Sequence, residues 1–250
     1  MNQKVKRLII ISGGLGILGQ SYARGLIEDG FVPVCVDVRP RPEADFVGEY
    51  FQCEITNPVA VKALGDAVGS LGGVVHGLIN NASCQPEGFG KELEEYSLET
   101  FRRVLDVNLA GSFLLTQLVV PMMVLQKSGS IVNIGSIQGI VAPTFKLYEN
   151  FEITSPLSYA VAKAGLIHFA KWVAARYGHF NIRCNSISPG GVGDSQRGGI
   201  AFSRAYADRV PLGRMAHSNE IADAVRFLMG DKSTYITGMN LMVDGGWTAH

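Results

Sequence analysis

The chain has 250 residues, of which 47% are hydrophobic and 18% charged, a composition that suits one large α/β domain and excludes extended disorder. Lysine plus arginine and aspartate plus glutamate balance at 22 each, so the zero net charge gives no electrostatic reason to expect nucleic acid or an anionic membrane surface as a partner. No apolar run approaches the roughly 20 residues of a membrane span, so we expect no membrane-spanning segment.

Cysteine and histidine usage points away from disulfides and metal sites. The four cysteines lie far apart and form no CxxC pair, which predicts reduced thiols in a cytoplasmic protein. The five histidines show no ligand spacing, and we expect no metal site. The basic residues 1–7 precede an apolar run over 8–11 that is too short for a signal peptide and is typical of a buried strand.

The first predicted unit is a strand, a glycine-rich turn, a helix and a second strand. Residues 8–11 are apolar, residues 12–19 carry glycines at 13, 16 and 19, residues 20–29 show helical spacing, and the apolar run 32–38 contains Asp37. Glycine N–H groups can approach a pyrophosphate at a helix N-terminus, and an acid at the end of the second strand can accept hydrogen bonds from ribose hydroxyls. The pattern predicts dinucleotide binding; the alternative is a glycine-rich turn needed only for packing.

The acid after the second strand also bears on the choice of cofactor. The carboxylate of Asp37 would repel a ribose 2′-phosphate, which favours NAD over NADP. Arg39 and Arg41 lie just beyond it and could pair with such a phosphate. The sequence therefore predicts a preference for NAD, with NADP as the alternative.

The rest of the chain alternates strands with helices. Ser97 and Ser218 are predicted helix N-caps, and Gly111 is predicted to allow close helix packing. The alternation predicts an α/β fold class: a single-domain Rossmann fold over residues 1–250 with a doubly wound, seven-stranded parallel sheet. The further strands are predicted over 50–53, 76–79, 131–134, 182–187 and 239–243, and the further helices over 59–70, 98–126, 159–177 and 218–229.

A tyrosine and a lysine four residues apart stand at the start of the predicted helix 159–177. If the segment is helical, Tyr159 and Lys163 share one face. A fixed ammonium beside a phenol stabilises the phenolate and lowers its pKa, which would make the pair useful for proton transfer near neutral pH. The alternative is a surface helix on which neither residue has a chemical role.

These motifs together resemble the short-chain dehydrogenase/reductase family in its single-domain form. The resemblance covers nearly the whole chain, and it is the order of motifs, more than any one of them, that is specific. It rests on the glycine turn 12–19, Asp37, residues 80–82, Asn108, Ser136, Tyr159, Lys163, Pro189 with Gly190, and the tail segments 235–238 and 243–246.

The resemblance implies roles for individual residues. Tyr159 is expected to be the catalytic acid/base, Lys163 to lower its pKa and hold the nicotinamide ribose, and Ser136 to bind the substrate oxygen. Asn108 is expected to hold a water in a proton relay; the alternative is an amide that stabilises a helix kink. The expected cofactor contacts are Ser12, Gly13, Gly16, Ile17, Leu18, Gly19, Asp37, Glu54, Ile55, Asn81, Ala82, Tyr159, Lys163, Pro189, Gly190 and Val192.

The chain also departs from the usual family pattern. The middle glycine of the turn is Gly16, where the single-domain branch more often has its glycine at the position of Ile17, and Ser83 stands where glycine is usual. A threonine usual after Pro-Gly is missing, and Asp194 or Ser195 would have to replace it. Ser136 and Tyr159 lie about ten residues further apart than usual.

The extra residues between Ser136 and Tyr159, an insertion over 142–156, contain aromatic and charged side chains. We predict that they form a wall or lid of the substrate site, and the alternative is a surface bulge. Its aromatic rings suit a polar, ringed substrate such as a sugar, and the insertion is similar to that of dehydrogenases encoded beside bacterial surface-sugar pathways. The segment 193–214, rich in Gly, Ser and Arg, is predicted to be a mobile lid over the site.

The resemblance implies an oxidoreductase that transfers a hydride between NAD(H) and a secondary alcohol or ketone, including that of a sugar or sugar phosphate. The alternatives are an NADP-dependent reductase of acyl or aromatic ketones and a non-catalytic dinucleotide sensor. The expected partner is a small-molecule substrate. Members of the family are commonly tetramers, so the resemblance implies a homotetramer. Its subunit interface is expected on the long apolar helices 98–126 and 159–177.

Overall fold

Short strands, several of them rich in valine or isoleucine, pair in parallel to form one sheet. The computed structural model describes residues 5–42, 46–151, 154–193 and 198–249, and in these ranges the sheet has seven strands in the order β3-β2-β1-β4-β5-β6-β7. This order confirms the predicted doubly wound sheet. The strands are β1 Arg7–Ser12, β2 Val32–Asp37, β3 Glu49–Gln52, β4 Val74–Asn80, β5 Gly129–Ile134, β6 Ile182–Pro189 and β7 Asn240–Val243.

Helices cover both faces of the sheet, because central strands such as β5 and β6 are buried throughout and must be shielded on each side. Apolar side chains of α1 and α7 pack on one face, and those of α2, α4 and α5 pack on the other. The helices are α1 Ile17–Glu28, α2 Pro58–Ser70, α3 Leu98–Leu105, α4 Gly111–Gln126, α5 Leu157–Tyr177, α6 Gly199–Ala207 and α7 Ser218–Met229.

Polar caps set where these helices begin. Asn57 accepts hydrogen bonds from the backbone N–H groups of Val59 and Ala60, with Pro58 in the first turn. Ser97 caps α3 by accepting from the N–H of Thr100, as predicted. The prediction for α7 is wrong by one residue: His217 is the N-cap, and the Glu220 carboxylate accepts from its backbone N–H, which completes a capping box.

The predicted helix over 98–126 is continuous but contains a π-helical turn. α3 ends at Leu105, residues Asp106–Ala110 form the π turn, and α4 follows directly. Gly111 lies at this junction, where an added Cβ would come within 2.7 Å of the Ile55 side chain, so close packing there does require glycine.

This same helix corrects the expectation that no segment approaches the length of a membrane span. Over Leu98–Gln126 it is long and apolar enough to cross a membrane by length and composition alone. Half of its most apolar window is buried in the protein. The buried part packs on the sheet through Leu115, Val119 and Met123, which accounts for its apolar character as a core helix.

The insertion packs against a helix that the sequence did not predict. Within the segment 193–214, residues Gly199–Ala207 form α6, and residues 194–197 lie outside the described part of the chain. Leu147 of the insertion is buried with Phe202 and Tyr206 of α6. Of the aromatic residues of the insertion, Tyr148 and Phe151 pack against this cluster, whereas Phe145 is largely exposed. Glu152 lies outside the described residues.

Candidate active site

The sheet places the glycine turn and the end of β4 side by side. Strand order reverses direction between β1 and β4, and in sheets of this kind ligands bind in the crevice outside the carboxyl ends of such strands. A cavity of about 720 Å³ opens there. Its lining runs from the glycine turn past Asp37 on one side and to Ser136 and Tyr159 on the other, and its volume suits a dinucleotide.

The backbone of the glycine turn is shaped for a phosphate group. Gly13 has a φ of +65°, and an added Cβ would lie 3.0 Å from Ala82 Cα. Gly16 precedes α1, whose N-terminus has no side-chain cap and no acid in its first turn. The first N–H groups of the helix therefore face the cavity without an anionic side chain, and the helix dipole favours a bound pyrophosphate. The residues present fit the diphosphate of a dinucleotide cofactor.

Gly19 supports this turn from below. An added Cβ would lie 2.4 Å from Gly13 O and 2.9 Å from Gly14 Cα. We expect Gly19→Ala to lower the free energy of unfolding by about 2 kcal/mol, because the turn must shift, and to weaken NADH binding. Urea unfolding and NADH fluorescence titration test both. Gly69→Ala is the matched control, since Gly69 is an exposed helical residue with open space around it, and it should gain about 0.5–1 kcal/mol. Equal behaviour of the two variants would contradict this account.

The carboxylate of Asp37 accepts hydrogen bonds from Arg39, a pairing that the sequence did not predict. Its Oδ1 accepts from the backbone N and from Nε of Arg39, at 3.2 and 3.0 Å, and its Oδ2 accepts from Leu15 N and Arg39 Nη2. Burial raises the pKa of Asp37, but these hydrogen bonds outweigh burial and hold the pKa below its usual value. All four lone-pair positions of the carboxylate are therefore occupied by donors of the protein itself.

Glu54 makes a similar arrangement further along the cavity. Its Oε2 accepts from Arg103 Nη2 at 3.0 Å, and its Oε1 accepts from Thr56 Oγ1 at 2.9 Å. Burial raises the pKa of Glu54, and the bonds from Arg103 and Thr56 more than reverse this shift. Glu54 thus stays ionised on the cavity wall, with Arg103 of α3 beside it.

Ser12 and Asn81 tie the glycine turn to the end of β4. Ser12 Oγ accepts from the backbone N–H groups of Asn81 and Ala82, at 3.0 and 3.1 Å. Asn81 Nδ2 donates to the carbonyl oxygens of Ser12 and Gly13. Asn81 and Ala82 line the cavity, whereas Ser12 is buried beneath it, so Ser12 positions the turn and does not lie on the cavity wall.

A tight turn after β5 brings Ser136 to α5. The Ser136 side chain accepts from the N–H of Gln138, and Gly139 packs so closely that an added Cβ would lie 2.8 Å from Ala164 N. Ser136 is buried except for a small part, and with Tyr159 it lines both the cofactor cavity and a second cavity of about 370 Å³. The sequence-predicted pair thus meets where the two cavities adjoin.

Lys163 lies one turn after Tyr159 and is 3% exposed. Its Nζ donates to Ile134 O at 2.7 Å and lies 5.3 Å from the centroid of the Tyr159 ring. Burial lowers the pKa of Lys163 to about 8, so the side chain is still mostly protonated at neutral pH. The ammonium is therefore fixed near the tyrosine, as the sequence predicted, although Lys163 does not line the cofactor cavity.

Asn108 lies within the π turn and is fully buried. Its Nδ2 donates to Val104 O at 2.9 Å, and its backbone carbonyl accepts from Ser112 Oγ at 2.6 Å. Its Oδ1 has no hydrogen-bond partner among the described residues. The amide nitrogen therefore makes the local contact expected of a residue that stabilises a helix irregularity, and its expected role in a proton relay is left as a proposal.

The cofactor cavity gathers most of the residues predicted from the sequence. The predicted residues that lie outside its lining are Ser12, Gly19, Asn108 and Lys163. Sequence reasoning missed Arg103 and Cys84 as lining residues, and it did not single out Gln138 in the second cavity. Asp194 and Ser195 lie outside the described residues. Within the described part of the chain, no group of three or more His, Cys, Asp or Glu side chains could hold a metal ion.

A family model described as enoyl-(acyl carrier protein) reductase matches residues 16–248. The chain belongs to the short-chain dehydrogenase/reductase family. The predicted family and the prediction of an NAD(P)-dependent oxidoreductase are confirmed. Membership of this family favours an enzyme over the alternative of a non-catalytic dinucleotide sensor.

Several relatives of this short-chain dehydrogenase/reductase span its full length. The trans-4-hydroxycyclohexanecarboxylate dehydrogenase of Sinomonas cyclohexanicum is 33% identical over 98% of this chain and 93% of its own. The post-translational flagellin modification protein A of Campylobacter coli is 28% identical over 96% and 98%. The structure of a short chain dehydrogenase from Leptospira borgpetersenii with bound NAD+ aligns with a TM-score of 0.88 and 32% identity, covering 99% of this chain and 94% of that one.

Proposed function

We propose that this protein is an NAD-dependent dehydrogenase that interconverts a secondary alcohol and its ketone. The observation that carries the proposal is the position of Ser136 and Tyr159, which line both the dinucleotide cavity and the adjoining smaller cavity. An alcohol in the smaller cavity would meet both side chains at the edge of the larger one. The NAD-bound relative from Leptospira supports the choice of cofactor.

The proposed reaction divides between cofactor and protein. The glycine turn, Asn81 and Ala82 would hold the dinucleotide, which would supply a nicotinamide as hydride acceptor for the alcohol carbon. Tyr159 would take the hydroxyl proton as general base, and Ser136 would hold the same oxygen by a hydrogen bond. Lys163 would supply a fixed positive charge that favours the phenolate, and Asn108 would pass the proton onward through a water at its Oδ1. In the reverse direction Tyr159 would return the proton to the ketone oxygen.

The substrate side of the proposal rests on the second cavity and on the relatives. The relative that acts on trans-4-hydroxycyclohexanecarboxylate is named for a ring alcohol, and the flagellin modification relative fits the expected link to bacterial surface sugars. Tyr148 and Thr154 of the insertion and Phe202 and Tyr206 of α6 line the cavity. We accordingly propose that the insertion 142–156 forms a wall of the substrate site and that the segment 193–214 covers it.

The test is a spectrophotometric assay of purified protein with NAD and a panel of secondary alcohols that includes cyclohexanols, alditols and sugars. Growth of NADH absorbance at alkaline pH, and its consumption with the matching ketones at neutral pH, is the expected result. Tight NADH binding without hydride transfer to or from any member of a broad panel would count against the proposal.

Arg39 should decide how strongly the protein prefers NAD. Its guanidinium partly neutralises Asp37 and would soften the repulsion of a 2′-phosphate, so we expect Arg39→Ala to raise the ratio of the Kd for NADPH to that for NADH about tenfold. Fluorescence titration with both cofactors measures the ratio. Arg41→Ala is the control, because Arg41 lies over the Phe46 ring and not on Asp37, and it should change the ratio less. Unchanged NADPH binding in Arg39→Ala would contradict this role.

We further propose that the protein works as a homotetramer in the cytoplasm. Support for the compartment comes from Cys35, Cys53, Cys84 and Cys184, which are all free thiols. Support for assembly comes from exposed apolar side chains on the long helices, such as Phe113 on α4 and Trp172 on α5. Size-exclusion chromatography with light scattering tests the tetramer, and a mass of about one 26.9 kDa chain would refute it.

A further inference from the structure

We infer that the substrate is an uncharged ring with a second hydroxyl beside the reacting one, and that Gln138 and Tyr148 bind this second hydroxyl. The inference rests on the proposed function and deepens it. It follows from the lining of the smaller cavity, where the part of the substrate beyond the reacting carbon must lie. The part of this lining that the structure describes contains no aspartate, glutamate, lysine, arginine or histidine.

The lack of acidic and basic side chains among the described residues of these walls bears on which substrates can bind. A carboxylate or phosphate moved out of water into a cavity needs a paired cation or several donors to offset its desolvation. The cavity instead offers apolar surface from Phe89, Ile137, Val192, Phe202 and Met215. A neutral ring could lie against these side chains, whereas a sugar phosphate or a ring carboxylate would lose its hydration without gaining a counterion from the described lining.

Two polar side chains interrupt the apolar lining close to the reacting position. Gln138 lies two residues after Ser136, and its backbone N–H donates to Ser136 Oγ at 3.2 Å, which fixes the two residues relative to each other. Gln138 Nε2 approaches the Tyr148 hydroxyl of the insertion at 3.4 Å, and both residues line the cavity. A substrate group bound here would sit next to the oxygen that Ser136 holds.

The amide of Gln138 has hydrogen-bonding capacity to spare. Its Oε1 is buried and has no hydrogen-bond partner among the described residues. If the amide oxygen and nitrogen were exchanged, the amide nitrogen would be the buried atom without a partner. The 3.4 Å contact to Tyr148 is also long, so the pair can accommodate a third group. Burial raises the pKa of Tyr148, so its phenol remains a neutral donor and acceptor. A hydroxyl, which donates and accepts, matches an amide and a phenol together.

The test compares ring alcohols that carry a neighbouring hydroxyl, no second group, or a carboxylate across the ring. Initial rates with NAD are measured for cis-1,2-cyclohexanediol, cyclohexanol and trans-4-hydroxycyclohexanecarboxylate. We expect kcat/KM for the diol to exceed that for each of the other two by about tenfold, the effect of one well-placed hydrogen bond. A preference for the hydroxy acid, or equal values for the diol and cyclohexanol, would overturn the inference.

Substitutions assign the preference to the two residues. Tyr148→Phe and Gln138→Leu should each bring the ratio of kcat/KM for diol over cyclohexanol towards one, while Tyr235→Phe, at a fully exposed tyrosine, should keep the wild-type ratio. NADH titration of each variant verifies that the cofactor site is folded. Wild-type ratios in both Tyr148→Phe and Gln138→Leu would refute the subsite even if alcohols are oxidised. A protein that oxidises no secondary alcohol at all would fail at the proposed function itself.

Discussion

Replacing Tyr159 by phenylalanine should lower kcat for alcohol oxidation about a thousandfold. The change removes one oxygen atom and keeps the ring that lines both cavities. General acid/base groups in enzymes contribute about 10²–10⁴-fold to the rate. Burial raises the pKa of Tyr148 and of Tyr206, the other tyrosines of the described lining, so neither replaces the phenol of Tyr159 as a base. The loss should fall on kcat, because proton transfer is needed in the transition state and not for binding.

Cofactor binding separates this chemical role from a structural one. The Kd for NADH in Tyr159→Phe should change by less than about tenfold, since at most one neutral hydrogen bond to the cofactor is lost. Tyr235→Phe makes the same change at an exposed position and should retain wild-type kcat and Kd. Turnover in Tyr159→Phe that matches the wild type would show that another group moves the proton. A joint loss of NADH binding and turnover would indicate that the phenol supports the cavity and would leave its catalytic role without support.

The parts of this protein that sequence alone predicts are those fixed by local pattern. Strands such as β1 and β2 are buried over nearly their whole length, so their apolar runs were visible without the fold. The glycine turn was readable because its conformation depends on glycine itself, as the positive φ of Gly13 shows. Tyr159 and Lys163 were predictable as neighbours because the helical repeat places residues four apart on one face.

The parts that sequence did not reveal depend on contacts between distant segments. α6 follows glycines and is only 9 residues long, and the role of its Phe202 and Tyr206 becomes clear only once the insertion packs on them. Arg103 lies 49 residues from Glu54 along the chain, and no local pattern indicates their pairing. The sequence offered Arg39 as a partner for a ribose 2′-phosphate. Its hydrogen bonds to the Asp37 carboxylate depend instead on how the loop after β2 turns back. In each case tertiary packing decides between alternatives that the sequence leaves equal.

The burial of Lys163 should appear as a pH dependence of stability that is absent in Lys163→Met. The folded-state pKa is about 8, below the value of about 10.4 for an unfolded lysine. Below pH 8 the side chain is protonated in both states, and the folded protein carries the full penalty of a buried ammonium. Between pH 8 and 10.4 the folded state gives up its proton first, so the unfolded state binds more protons and the free energy of unfolding rises with pH.

The expected size of this effect is measurable. Between pH 7.5 and 9.5 the free energy of unfolding of the wild type should rise by about 2 kcal/mol relative to that of Lys163→Met. Urea denaturation at the two pH values gives the difference, in which the contributions of all other titrating groups cancel. Lys171→Met, which removes an exposed ammonium from the same helix, should keep the wild-type pH dependence. Parallel pH profiles for the wild type and Lys163→Met would mean that the lysine is hydrated in solution.

The same substitution should abolish most of the turnover at pH 7.5, although the fold no longer has to bury a charge. The buried ammonium of Lys163 therefore lowers the stability of the fold but serves the chemistry. It is kept out of water and bonded to Ile134 O, so it acts on Tyr159 through a medium of low polarity, where a fixed charge has more effect than in water. The expected Lys163→Met variant is inactive, still binds NADH and lacks the pH-dependent gain in stability. This result would show that the buried ammonium, which lowers stability, is required for catalysis. If instead the variant stays active, the positive charge beside the phenol is not required for proton transfer.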